Sequence, residues 1–213
     1  MDIPKYIAQL SDADAQLRLR AARDIFDWGR RLSDPILGKW LVDGELAGLL
    51  VRVEGEATAT ASGPNAAAGD LAPRTPAPWC ATTVGIAVQP WTFEKIREAN
   101  GAPPLAQVPP DQDATEFELE FPGHVRIDVL TTRTSGGGGP IARYLEKFGE
   151  GIQQVEFDVR DVDAASAMLR RSFGLEPIYP ATRAGANGTR VNFFLLTGSD
   201  GRKILIELVG KAR

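Results

Sequence analysis

The sequence predicts an α+β fold: tandem βαβββ modules forming one cupped mixed sheet, preceded by a small N-terminal helical segment. The first observation behind this is an internal duplication. Thr83-Val84-Gly85-Ile86-Ala87-Val88 has a counterpart in Gln154-Val155-Glu156-Phe157-Asp158-Val159, each with apolar residues at alternate positions, the period of a strand with one buried face. A helical pattern follows each time, over residues 91–100 and 162–173, and ends at Gly101 and Gly174, which suit a left-handed C-terminal position. The second observation is a pair of matching closing strands, Val125–Leu130 and Ile204–Val209, with Asp128 and Glu207 in the same place. The third is a break in composition, since residues from about 51 to 80 turn to Ala, Gly, Pro, Ser and Thr without a sustained period, as a flexible linker does. The chain thus divides into a helical arm (1–50), a linker (51–80) and a two-module domain (81–213), with modules at about 82–132 and 150–210.

With 213 residues and 23.0 kDa, the chain is long enough to bury a sizeable core. Its 43% hydrophobic and 24% charged residues are ordinary globular values. The balance of 24 basic against 28 acidic residues, with a pI of about 5.2, supplies no general attraction to a polyanion, so nucleic acid is not an expected partner. Cys80 is the single cysteine, which excludes an internal disulfide and a thiol cluster for structural zinc. The stretch Met1–Tyr6 has neither a basic nor an apolar region of a secretory signal, and no run approaches the roughly 18 apolar residues of a membrane helix. A cytoplasmic protein without a membrane partner is expected. In that compartment Asn187-Gly188-Thr189 reads as a turn rather than a glycosylation site.

Along the arm, Ile3, Tyr6, Ile7 and Leu10 recur at helical spacing, and Leu17, Ala21, Ile25 and Trp28 do so again. Pro4 suits a first turn; Ser11, Asp12 and Asp14 supply cap chemistry before the second helix, and Gly29 falls near its expected end. Shorter helices are expected at 34–41 and 44–50. Between helix and closing strand, each module holds further strand material: Leu105–Val108 and Glu116–Phe121 in the first, Pro177–Tyr179 and Arg190–Leu196 in the second. Residues 116–121 alternate strictly, so Phe117, Leu119 and Phe121 face the helix while Glu116, Glu118 and Glu120 face the other way. Partners across the hairpin share a face, which demands an odd loop around Pro122-Gly123. A three-residue loop pairs Glu120 with Arg126 and Glu118 with Asp128. The same parity sets Gln154, Glu156 and Asp158 opposite Val155, Phe157 and Val159. Each module therefore has one apolar and one highly polar sheet face, and the polar face is either solvated or a pocket lining.

The arm's string Leu10-Ser11-Asp12, Asp14, Arg18, Ala21-Ala22, Ile25 and Gly29 resembles one HEAT-type helical repeat. Such solenoids need about three repeats to bury a continuous core, so the piece is expected to dock on the rest of the chain or on a partner. The tandem modules resemble the vicinal oxygen chelate superfamily of glyoxalases, extradiol dioxygenases, bleomycin-resistance proteins and methylmalonyl-CoA epimerases. The likeness spans about residues 82–210 and is greatest to the epimerase branch. It is carried by Pro140-Ile141-Ala142-Arg143-Tyr144-Leu145-Glu146-Lys147, Gly149-Glu150-Gly151-Ile152-Gln153-Gln154, Arg183-Ala184-Gly185-Ala186 and Leu205-Ile206-Glu207-Leu208. The resemblance implies that each first strand pairs with the last strand of its own module and that the two first strands meet across a pseudo-twofold. It also implies that four side chains converge on a divalent metal: a histidine from each first strand and Glu or Gln from each last strand. Here the carboxyl positions are Asp128 and Glu207, while the histidine positions are Thr83 and Gln154.

Losing both imidazoles removes the borderline donors that suit zinc, nickel, cobalt or iron. Asp128, Glu207 and the amide oxygen of Gln154 still offer a hard oxygen set for magnesium, manganese or calcium; alternatively the carboxylates are polar pocket groups held by Arg126 or Lys203. The expected cofactor is none or a weakly bound divalent cation. For epimerase-type proton transfer Glu207 can act as base or acid, as can Asp128 if no metal ties it; Asp111, at an irregular spacing, lies near where the resemblance implies a catalytic carboxylate, and Thr83, Gln154, Arg126, Glu118 and Glu156 are expected to line the pocket. His124, the only histidine, falls at the hairpin loop and is expected to be exposed. Two functions remain open. One is a small-molecule-binding protein that is metal-free or weakly metal-binding and catalytically divergent. The other is a hard-cation-assisted isomerase or lyase that abstracts a proton next to the carbonyl of an acyl-CoA or 2-oxo substrate. A small-molecule ligand is the expected partner, and a homodimer is permitted but not required because one chain carries both modules.

Overall fold

The computed structural model describes residues 2–40, 48–51, 82–134, 136–197 and 203–211, with side chains of the second helix described as far as Ser33. The expected linker beyond Val51, Cys80 included, and residues 44–47 of the expected helix at 44–50 lie outside the described residues. In chain order the elements are α1 (Ile3–Gln9), α2 (Ala15–Trp40), β1 (Thr82–Ala87), α3 (Pro90–Ala99), β2 (Ala114–Phe121), β3 (Val125–Thr132), α4 (Pro140–Phe148), β4 (Gly151–Asp158), α5 (Val162–Phe173), β5 (Arg183–Ala184), β6 (Arg190–Thr197) and β7 (Lys203–Gly210). None of the described helices is long and apolar enough to cross a membrane.

The arm starts as its caps dictate. Asp2 accepts from the Lys5 N–H, and Asp14 accepts from the Gln16 N–H at 2.8 Å. It does not break where expected: α2 runs through Gly29 to Trp40 as one helix, so neither an end at Gly29 nor a new helix at 34 is observed. The glycine serves a close approach instead, because a Cβ at position 29 would lie 2.6 Å from both γ-carbons of Val84 on β1. Ile7, Leu10, Ala21, Ala22, Ile25 and Phe26 enter one core with Val84, Ile86, Phe93, Phe117 and Ile127. The arm thus packs in cis on the outer face of the sheet, and a HEAT-type repeat is not confirmed.

The seven-stranded mixed sheet has the order β2-β3-β1-β4-β7-β6-β5. β1 pairs in parallel with β3, β4 in parallel with β7, and β1 meets β4 antiparallel at the centre. Both the pairing of first with last strand and the central seam follow the expectation. So does the hairpin register, with Glu120 opposite Arg126 and Glu118 opposite Asp128. At the seam Gly85 pairs with Gln154 and Ile86 with Ile152, leaving Gln153 as a bulge. The second strand of each module departs from expectation. Residues 105–108 form no strand, although the Ala106 N–H reaches the Glu116 carbonyl at 2.9 Å. In the second module Pro177 makes a single bridge to Phe194, and β5 lies further on. Prolines explain both shortfalls: Pro103, Pro104, Pro109 and Pro110 flank the first stretch, Pro177 and Pro180 the second, and each removes an N–H that a ladder needs.

Candidate functional site

Alternation along the strands sends one set of side chains outward into the helix-covered core and the other inward. The inner face encloses a cavity of ≈ 820 Å³. Thr83, Asp128, Gln154 and Glu207, the four positions singled out from the sequence, all line it and are 2%, 8%, 5% and 9% exposed. Arg126, Glu116, Glu118 and Glu156 line it too, so most of the acidic sheet face belongs to the pocket wall, while Glu120 is exposed outside it.

The contacts among these groups differ from an open set of metal donors. Gln154 Nε2 donates to Glu207 Oε2 at 2.7 Å and to Glu156 Oε1 at 2.9 Å, so the amide N–H atoms hold two carboxyl groups together. Gly85 makes room for this side chain; a Cβ there would come within 2.5 Å of Gln154 Cγ. Arg126 is committed to Asp158 at 2.8 Å rather than to Asp128 or Glu207. Lys203 is exposed and does not line the cavity. Asp128 accepts no hydrogen bond from any described residue. No group of three or more His, Cys, Asp or Glu among the described residues is arranged to hold a metal ion. His124 is exposed at the hairpin, as expected.

Crowding carboxyl groups in a closed space raises their proton affinity. Burial, and then the charges of Glu116, Glu156 and Glu207, push Asp128 well above the usual aspartate range. Glu207 is pushed well above its usual range by burial and then by Glu156 and Glu116. Burial raises Glu156 to about 8, against the opposing hydrogen bond from Gln154. It raises Glu116 to about 7, assisted by Glu118. Glu156 and Glu116 thus exchange protons near neutral pH, the property that general acids and bases need.

Sequence reasoning placed Glu116 on this face without naming it a site residue, and it missed the cavity mouth. There the loop before β2 meets the turn after β5, one from each module. The Gln107 N–H donates to Asn187 Oδ1 at 2.9 Å and the Asn187 N–H to the Gln107 carbonyl at 3.0 Å. Arg183 pairs with Asp111 and lies 4.3 Å over the Tyr179 ring. Asp111 is therefore a mouth residue tied to an arginine. Asn187 adopts φ 51°, a conformation asparagine tolerates well, which was the available sequence signal.

This site sits on a fold that solved structures share. The Mycobacterium tuberculosis methylmalonyl-CoA epimerase is 32% identical, with 62% of this chain covering 87% of that one at a TM-score of 0.50. The chain belongs to the vicinal oxygen chelate superfamily. A variant of the Streptomyces coelicolor methylmalonyl-CoA epimerase, in complex with 2-nitronate-propionyl-CoA, matches at 25% identity, 62% and 96% coverage and a TM-score of 0.50. A hypothetical protein of Bacillus halodurans C-125 shares the fold at 24% identity, 62% and 93% coverage and a TM-score of 0.50. No family model matches the chain, and no curated protein sequence does. Within the superfamily framework Thr83 and Gln154 occupy equivalent places on the two first strands, as Asp128 and Glu207 do on the closing strands.

Proposed function

We propose that this vicinal oxygen chelate protein binds a small organic molecule in its cup, and does so without a tightly held metal. The observation that supports this reading is the closed hydrogen-bonded group of Gln154, Glu207 and Glu156, at 2.7 and 2.9 Å. A metal at the four superfamily positions would need lone pairs from all of them. Gln154 turns its nitrogen, which has none to give, onto the very carboxylate that would be its fellow ligand. With Thr83 in place of an imidazole, the donor set does not fit a borderline metal. What the chain's own residues offer is proton exchange at Glu156 and Glu116 near neutral pH, and a concave space with room for a bound molecule.

A second reading, an isomerase or lyase assisted by a hard cation and acting on an acyl-CoA or 2-oxo compound, is favoured by the 32% identity to an epimerase and by the uncommitted carboxylate of Asp128. Elemental analysis of the purified protein, followed by titration with magnesium, manganese, cobalt and zinc, separates the two. Under the first reading no stoichiometric metal is retained and none saturates at millimolar concentration. Tight one-to-one binding abolished by Glu207→Gln, together with solvent deuterium entering methylmalonyl-CoA beside its thioester, would establish the second.

A further inference from the structure

We infer that the cup takes an amphipathic organic cation, a molecule with an ammonium or amidinium end set against Asp128 and Glu116 and an apolar body lying toward Phe193 and Tyr179. This rests on the reading of the cup as a small-molecule site and names the class of molecule.

The inner face is polarised by the divergence of its two halves. Asp128 and Glu207 are equivalent, yet the residue opposite Asp128 on β2 is Glu118 and the residue opposite Glu207 on β6 is Phe193. Likewise Arg126 on β3 corresponds to Leu205 on β7, by their registers to Asp128 and Glu207. Glu116 extends the acidic half; Ile178 and Tyr179 extend the apolar one. A molecule that matches both has one charged and one greasy end.

The sign of the charged end follows from what is already paired. Each arginine lining the cavity has an acceptor: Arg126 on Asp158, Arg183 on Asp111, and Arg143 on the Gly138 carbonyl. An anionic end reaching the floor would find carboxyl groups. Asp128 is the reverse case, 8% exposed, on the cavity wall and without a hydrogen-bond donor among the described residues. A buried carboxyl group in that state is stabilised by a ligand that brings both positive charge and N–H groups. A bare metal ion suits it less, since no three carboxylates among the described residues converge on one point. The raised proton affinity of Glu116, which burial and Glu118 bring to about 7, agrees with a pocket lacking its counter-charge.

Three probes of one shape decide the matter: 3-phenylpropylammonium, 3-phenylpropan-1-ol and 3-phenylpropanoate, titrated calorimetrically into the full chain alongside propionyl-CoA. The ammonium is expected to bind one-to-one and at least tenfold more tightly than the alcohol, with the carboxylate weaker still. Asp128→Asn, and separately Glu116→Gln, should weaken the ammonium at least tenfold while leaving the alcohol within about twofold. Neither substitution removes a hydrogen bond that the described residues make, so both variants should fold, as circular dichroism would verify. Tighter binding of 3-phenylpropanoate or propionyl-CoA, or displacement of the ammonium by 1 mM magnesium, would overturn the cation assignment and leave the cup a site for another ligand. Binding by none of the four probes would defeat the cup reading and this inference with it.

Discussion

Replacing Glu116 by glutamine should stabilise the protein, and only above a definable pH. In the folded chain burial and the neighbouring Glu118 raise the Glu116 carboxyl from 4.5 to about 7. A native group that holds its proton more tightly than the unfolded one loses stability as pH climbs from the unfolded to the folded value. The cost is absent below about pH 4, grows between 4.5 and about 7, and is constant above. At about 1.4 kcal/mol per unit, the displacement corresponds to roughly 3 kcal/mol, trimmed to about 2–3 kcal/mol by water reaching the open side of the cavity. Removing the charge also relieves Asp128, Glu156 and Glu207, each of which it pushes in the same direction. Urea unfolding of wild type and Glu116→Gln at pH 4, 5, 6, 7 and 8 measures the difference. The two should agree at pH 4 and diverge in favour of the variant by about 2–3 kcal/mol at pH 8. Parallel curves, or a wild type that gains on the variant as pH rises, would refute the view of the inner face as an under-neutralised acidic wall.

Gly29→Ala separates two roles for the arm: in an unattached helix alanine would add up to about 1 kcal/mol, whereas against Val84 it should cost about 1–3 kcal/mol. A fall of several degrees in melting temperature is therefore expected, and a rise would mean that α2 does not rest on β1. Introducing imidazoles with Thr83→His and Gln154→His should create, with Asp128 and Glu207, a two-nitrogen, two-oxygen set that binds cobalt one-to-one with visible d–d absorption bands; a colourless double variant at millimolar cobalt would mean that the four positions do not converge. Asn187→Ala removes one of the two reciprocal bonds between residues 107 and 187; being exposed, it should change stability by less than about 1 kcal/mol while speeding ligand dissociation several-fold in stopped flow, and an unchanged rate would exclude the loops as a barrier.

Much of this architecture was legible because strand chemistry is periodic. Alternation in residues 116–121 and the odd loop at Pro122-Gly123 set the register that brings Glu118 opposite Asp128, since a slip of one residue would turn Phe117 and Leu119 away from the core. The duplication similarly brought Thr83, Asp128, Gln154 and Glu207 to one wall. The remainder depended on contacts across long separations that no local pattern encodes. Gly29 looked like a stop signal because glycine ends helices and also permits close packing, and only the position of Val84 tells the two apart. Residues 105–108 read as a strand from composition, but the flanking prolines prevailed. That Gln154 presents nitrogen and not oxygen to Glu207 is a choice of rotamer, as is the preference of Arg126 for Asp158.

The reciprocal bonds between Gln107 and Asn187, reinforced by Asp111 and Arg183, join the two modules where exposed residues line the cavity. The sheet joins the same two modules along β1 and β4, so the cavity wall is tied together at two places far apart in the sequence. Changing the acidic wall with Asp128→Asn and loosening this bridge with Asn187→Ala are thus expected to act on different quantities, the strength with which a guest is held and the time it stays.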